Sequence, residues 1–202
     1  MHPYERWIAQ RYLAAALKSK RGPADRPNTY LQAWTNANGR SVGVAPFKYK
    51  SEYGMDIEDH DPAAKLKFKA AWRRWRAAAL ASASEPQPPI SPLQKRIDWL
   101  ADVCELNPSQ QFLLGLFARI ARVPQVRNLL SAINKQDRVA DQFDYSELHR
   151  VLDAHVDRRD LSENGLLTRF GLIEKNDSNE FQISDLVGAM LSRKRLNRKS
   201  VV

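Results

Sequence analysis

Residues 172–187 read Leu-Ile-Glu-Lys-Asn-Asp-Ser-Asn-Glu-Phe-Gln-Ile-Ser-Asp-Leu-Val. Leu172–Lys175 and Glu180–Ile183 are short runs of strand type on either side of the turn-rich Asn176–Asn179. That pattern predicts a β-hairpin. Ser184-Asp185 then caps a helix through Leu186, Val187, Met190 and Leu191. Upstream of the hairpin every patterned segment has helical spacing. Several helices followed by one hairpin is the order of a winged helix. The expected fold is therefore mainly α, with a helical N-terminal region and a helical winged-helix-like domain carrying one short β-hairpin.

Working back along the chain, Leu93, Ile97, Leu100 and Cys104 fall on one helical face. Asn107-Pro108 opens a helix with Phe112, Leu113, Leu116, Phe117 and Ile120 inward, and Pro124 opens another with Val126, Leu129, Leu130 and Ile133 inward. Asp144-Tyr-Ser-Glu147 has the form of a capping box and starts a helix carrying Leu148, Val151 and Leu152. A short helical turn is expected over 161–169. The run Pro86-Gln-Pro-Pro-Ile-Ser-Pro92 cannot continue a helix and reads as a spacer. Before it, helices are expected over 4–19, from Asn28 or Thr29 to Asn38-Gly39, and over 63–82, with 40–60 irregular. The expected organisation is a basic helical region 1–85, a linker 86–92, a winged-helix-like domain 93–192 and a basic tail 193–202.

The chain has 202 residues and a net charge of +9. Mean hydropathy is −0.54, and no long uncharged apolar run occurs, so no membrane-spanning helix or membrane partner is expected. Arg6 and Arg11 interrupt the first apolar stretch, which argues against a secretory signal. The single cysteine, Cys104, excludes an internal disulfide framework. A cytoplasmic location is expected. The charge is unevenly placed. Residues 1–50 carry +7, residues 51–90 zero, residues 91–192 carry −3 and residues 193–202 carry +5. The pI near 9.8 would suggest nucleic acid, but the best-patterned region is mildly acidic.

Candidate chemistry is sparse. No glycine is followed by lysine and no G-x-G-x-x-G occurs, so the two familiar phosphate-cradling loops are missing. Asp56, Glu58, Asp59, His60 and Asp61 cluster ahead of a helix. Their spacing fits neither a calcium loop nor a zinc signature, and they read as a solvated segment favouring a helix N-terminus. Cys104 lies on an inward face, where cysteine behaves as a small hydrophobe and not as a nucleophile for His149 or His155. No catalytic, cofactor or metal residue is expected. Lys65, Lys69, Arg73 and Arg76 interleave with Phe68, Trp72 and Trp75. They would suit phosphates and stacked bases, or else form the solvated face of an amphipathic helix. Arg193, Lys194 and Arg195 begin the basic tail and are the second group of nucleic-acid or partner contacts. A recognition helix over Ser146–Ala154 would offer His149 and Arg150 but also Glu147 and Asp153. The wing would carry Lys175 against Glu174, Asp177 and Glu180, and an acidic wing does not follow a phosphate backbone.

The stretch Arg96-Ile-Asp-Trp-Leu-Ala-Asp-Val-Cys-Glu-Leu-Asn-Pro-Ser-Gln-Gln-Phe-Leu-Leu resembles the helical segment ahead of the ATPase module in some bacterial AAA-family ATPases. There an R-x-x-W-L-A-like helix is followed by a Leu-x-Pro-like turn and a leucine-rich helix. Leu167, Gly171, Leu172 and Ile173 match that family's L-x-x-x-G-L-[IL] stretch. Phe181–Val187 resembles the strand and helix start that close its winged helix. The resemblance covers about residues 93–192. The resemblance does not extend to residues 1–90, and the phosphate loop and acidic metal-binding motif of the ATPase module are not in this chain. The resemblance implies a non-catalytic N-terminal region that binds substrates, adaptors or neighbouring subunits. The alternative is a DNA-binding winged-helix protein using its basic termini, with weak and non-specific contacts. On either reading the purified chain should neither bind nor hydrolyse ATP. Saturable binding of labelled ATP, or phosphate release above a buffer control, would overturn this.

Overall fold

The computed structural model describes residues 1–19, 29–47, 62–134, 157–162, 164–175 and 181–192. Within them the chain is mainly helical, with one two-stranded antiparallel sheet. The helices are α1 (Pro3–Lys18), α2 (Thr29–Asn38), α3 (Pro62–Ser82), α4 (Pro92–Val103), α5 (Pro108–Arg122), α6 (Pro124–Asn134), α7 (Leu166–Arg169) and α8 (Asp185–Ser192). The strands are β1 (Ile173–Lys175) and β2 (Phe181–Ile183). Five of these helices begin on a proline, whose fixed φ suits the first helical position and whose missing N–H is not needed there. The expected helix after Asp144, the wing tip at 176–180 and the tail from Arg193 lie outside the described residues.

The chain divides into two compact units, Met1–Pro89 with Val123–Ala154, and Ile90–Arg122 with His155–Val202. This differs from the expected single domain over 93–192. Helix α6 packs on α1 and α2. Its inward stripe of Val126, Leu129, Leu130 and Ile133 is buried as its spacing required, but spacing does not say which neighbour buries it.

In the first unit α1 contributes Ala9, Leu13, Ala16 and Leu17, and α2 contributes Leu31 and Trp34. Gly39–Val42, at the expected helix end and the start of the stretch 40–60 expected to be irregular, form a 3-10 turn. Beyond it Phe47 sits edge-on to Trp72 and Trp75, with ring centroids 5.5 and 6.0 Å away. The two tryptophans stack at 4.8 Å. Trp75 Nε1 donates to the Ala45 carbonyl at 2.7 Å. Arg76 donates from Nε and Nη2 to the Leu17 carbonyl at 3.1 and 2.6 Å. It thereby closes the C-terminal turn of α1.

In the second unit α5 is the helix around which the others pack. Residues Leu113 to Arg119 are buried without a break, against α4, α7, α8 and β2. Asn107 and Gln110 cap α5 reciprocally, main-chain N–H to side-chain oxygen, each at 3.0 Å. Strands β1 and β2 pair with Ile173 opposite Ile183. Ser184 then joins hairpin to helix. Its Oγ donates to the Gly171 carbonyl at 2.6 Å, and its N–H donates to the Leu172 carbonyl at 3.1 Å.

Two helices of this unit end in the same way. After α7, Leu172 N–H bonds back to the Leu167 carbonyl and Gly171 N–H to the Thr168 carbonyl, with Gly171 at φ 62. After α4, Leu106 bonds to Ala101 and Glu105 to Asp102, but the residue in the left-handed region is Glu105, at φ 50. A side chain there costs about 1 kcal/mol that glycine does not incur. Glu105→Gly should therefore stabilise the chain by about 1 kcal/mol. Gly171→Ala, where an added Cβ would touch nothing within 4 Å, should cost a similar amount. Urea midpoints of both variants check this; a lower midpoint for Glu105→Gly would contradict it.

Candidate interaction surface

Helix α3 carries the basic residues singled out from sequence, and its two faces differ in kind. Phe68, Trp72, Trp75 and Ala79 recur at i, i+4, i+7 and i+11, and all but the half-buried Phe68 are buried. The tryptophan rings are packed on each other and on Phe47, so they are not offered to stacked bases. Of the two readings of α3, buried Trp72 and Trp75 fit the amphipathic helix with a solvated basic face. Lys69 and Arg73 are exposed on the outer face, with Lys67 and Arg74 beside them. Arg76 is half-buried and committed to the end of α1. Lys65 lies in the second turn of α3. Arg193, Lys194 and Arg195 fall outside the described residues. The structure thus places Lys69 and Arg73 together on one surface and assigns Arg76 to the fold.

The remaining sequence candidates assemble no chemistry that the structure describes. Asp56–Asp61, His149 and His155 lie outside the described residues. Cys104, expected inward, is half-exposed at the C-cap of α4. Among the described residues no group of three or more His, Cys, Asp or Glu is placed to hold a metal ion. No helix among them is long and apolar enough to cross a membrane.

Buried polar groups in the second unit bind one another. Arg119, 3% exposed, donates to the Gly115 carbonyl at 3.1 Å and to Gln94 Oε1. Gln94 Nε2 in turn donates to Asp98 Oδ1 at 2.6 Å, as Gln111 Nε2 does at 3.2 Å. These bonds stitch α4 to α5. The Asp160 carboxylate accepts from Ser109 Oγ at 2.7 Å and Gln110 Nε2 at 2.8 Å, fixing the Arg158–Leu161 3-10 turn against the start of α5. Charge buried this way is satisfied by geometry and serves packing.

What the residue pattern did not single out lies on α4. Ile97, Leu100 and Ala101 face inward. Trp99 and Val103, one turn apart on the opposite side, are 46% and 62% exposed. Exposed Lys95 and Asp102 flank them. The signal was present in the spacing, since Trp99 is out of phase with the Leu93, Ile97, Leu100 stripe. A large apolar side chain out of phase on an amphipathic helix contributes little to its own core.

Compared with protein-family models, with curated proteins and with solved structures, the chain matches none.

The two tryptophan environments make a paired prediction. Trp72→Ala, removing a ring 2% exposed, should cost about 3–5 kcal/mol of unfolding free energy. Trp99→Ala should cost under about 1 kcal/mol. Denaturant unfolding measures both. A Trp99→Ala loss equal to that of Trp72→Ala would make Trp99 a core residue and remove it from any contact surface.

Proposed function

We propose that this chain is a non-catalytic N-terminal interaction region of an AAA-type ATPase, and that α4 is a surface by which it holds a substrate, adaptor or neighbouring subunit. The observation that carries the reading is the exposed Trp99–Val103 pair. It lies in the segment whose Arg96, Trp99, Leu100 and Ala101 resemble the R-x-x-W-L-A helix ahead of such ATPase modules. In this chain those four positions have separable tasks. Leu100 and Ala101 are buried, and Arg96 Nη1 donates to the Leu191 carbonyl in the last turn of α8. Trp99 is left facing outward. Tryptophan supplies a large rigid apolar area with little rotamer entropy to lose, and it dominates protein contact energies out of proportion to its frequency. A charged rim around an apolar centre is the ordinary anatomy of such contacts.

The test places a photo-crosslinking amino acid at position 99 in the full chain expressed in its source cells. The expected adduct contains peptides of a polypeptide with a phosphate loop and AAA module. Position 182, exposed on β2, serves as the control. An adduct to nucleic acid alone, or no adduct at 99 beyond that at 182, would overturn the proposal. The nucleic-acid outcome would favour the DNA-binding reading.

A further inference from the structure

The outer face of α3 has a composition that the fold does not explain. Leu66 stands at its centre, 68% exposed. Ala63, Ala70, Ala77 and Ala81 are exposed along the same side. Lys67 and Arg74 border this strip on one flank, Lys69 and Arg73 on the other, and all four are exposed. From Pro62 to Ser84 the sequence contains no Asp or Glu. A solvated helix face usually mixes both signs, because i, i+4 pairs of opposite charge stabilise it and like pairs oppose it. Here the repulsion is left uncompensated along the helix, and an apolar side chain is held in water between the cations.

Three kinds of occupant can be weighed on that chemistry. A second copy of this face would bring cations against cations, so self-association through it is disfavoured. A phosphate backbone would use the cations but gain nothing from Leu66. The aromatic rings that would stack bases are turned into the core. An amphipathic helix with an apolar stripe bordered by carboxylates uses every feature. Its stripe covers Leu66, the alanines let the two backbones approach closely, and its acids meet cations on both flanks.

We infer that the outer face of α3 docks an acidic amphipathic helix of a partner protein. This extends the interaction reading to a second surface and depends on nothing in α4.

A fluorescent amphipathic peptide tests it, with leucines at i, i+3, i+4 and i+7 flanked by glutamates. The same peptide with lysines for glutamates and a short DNA duplex are the comparisons. The glutamate peptide should bind the full chain saturably, weaken with salt and leave the lysine peptide unbound. Arg73→Glu with Arg74→Glu should weaken binding at least about tenfold, and Leu66→Ser about fivefold. Lys67→Glu with Lys69→Glu repeats the charge test should the first pair fail to fold, as judged by its circular dichroism. Trp99→Ala should bind as the parent does. Full affinity in Leu66→Ser, tighter binding of the duplex than of the peptide, or no peptide binding at low salt would each overturn the inference. Loss of peptide binding in Trp99→Ala would move the peptide to α4, overturning the inference while leaving the earlier proposal standing.

Discussion

The bond that recurs across this structure is a guanidinium donating to a main-chain carbonyl far away in sequence. Arg76 reaches Leu17, 59 residues back. Arg96 reaches Leu191, 95 residues on, and Arg122 reaches Gly188, 66 residues on. For Arg76 and Arg96 the acceptor lies in the last turn of a helix, which leaves carbonyls without intrahelical donors and carries the negative end of its dipole, so a cation there satisfies both; the Gly188 carbonyl that Arg122 reaches, midway along α8, also accepts from Ser192 Oγ. Such charge-assisted bonds contribute about 1.5–3 kcal/mol each. They also fix which elements meet: Arg76 ties α3 to α1, while Arg96 and Arg122 tie α4 and α5 to α8. Two glycines make room for guanidinium groups. A Cβ at Gly188 would stand 3.2 Å from Arg122 Nη2, and one at Gly115 would stand 2.9 Å from Arg119 Nη1.

This use of arginine changes what the net charge of +9 means. Arg76, Arg96, Arg119 and Arg122 are bound within the fold, so the charge offered to a partner is smaller and more local than the composition implies. A pI argument treats every cation as solvated. Four exposed cations share the outer face of α3, and its character comes as much from the missing carboxylates as from the lysines and arginines themselves.

Several helix starts were legible because they are written in proline. Pro108 and Pro124 each mark a start that the sequence alone identifies, Pro62 and Pro92 stand next to the starts expected after them, and 3.6-residue spacing gives the inward faces of α4, α5 and α6. The hairpin was legible because polar turn residues separate two short apolar runs, and Ile173 and Ile183 pair as that arrangement requires. Features set by tertiary contact were not. Helix α6 carries a stripe that fits any apolar neighbour, and nothing local sends it to α1 and α2 instead of to the helices next to it in sequence. The 3-10 turn at Gly39–Val42 has no apolar period. Glu105 closes α4 in a conformation whose usual sequence mark is glycine, so no signal announced it. On α3 the sequence left two readings for Phe68, Trp72 and Trp75. Their helical spacing, ending on Ala79, matches the face that the core encloses.

Phase is the property that separates the residues of the proposed contact surfaces from those of the core. On α4 the inward set is Ile97, Leu100 and Ala101, and Trp99 falls outside it. On α3 the inward set is Trp72, Trp75 and Ala79, and Leu66 falls outside it. In both helices the out-of-phase residue is large, apolar and exposed. The rims differ. Lys95 and Asp102 around Trp99 give a mixed border that suits a largely apolar partner. The four cations around Leu66 suit an anionic one. On the proposed reading, two surfaces of different charge on one chain take two chemically different partners.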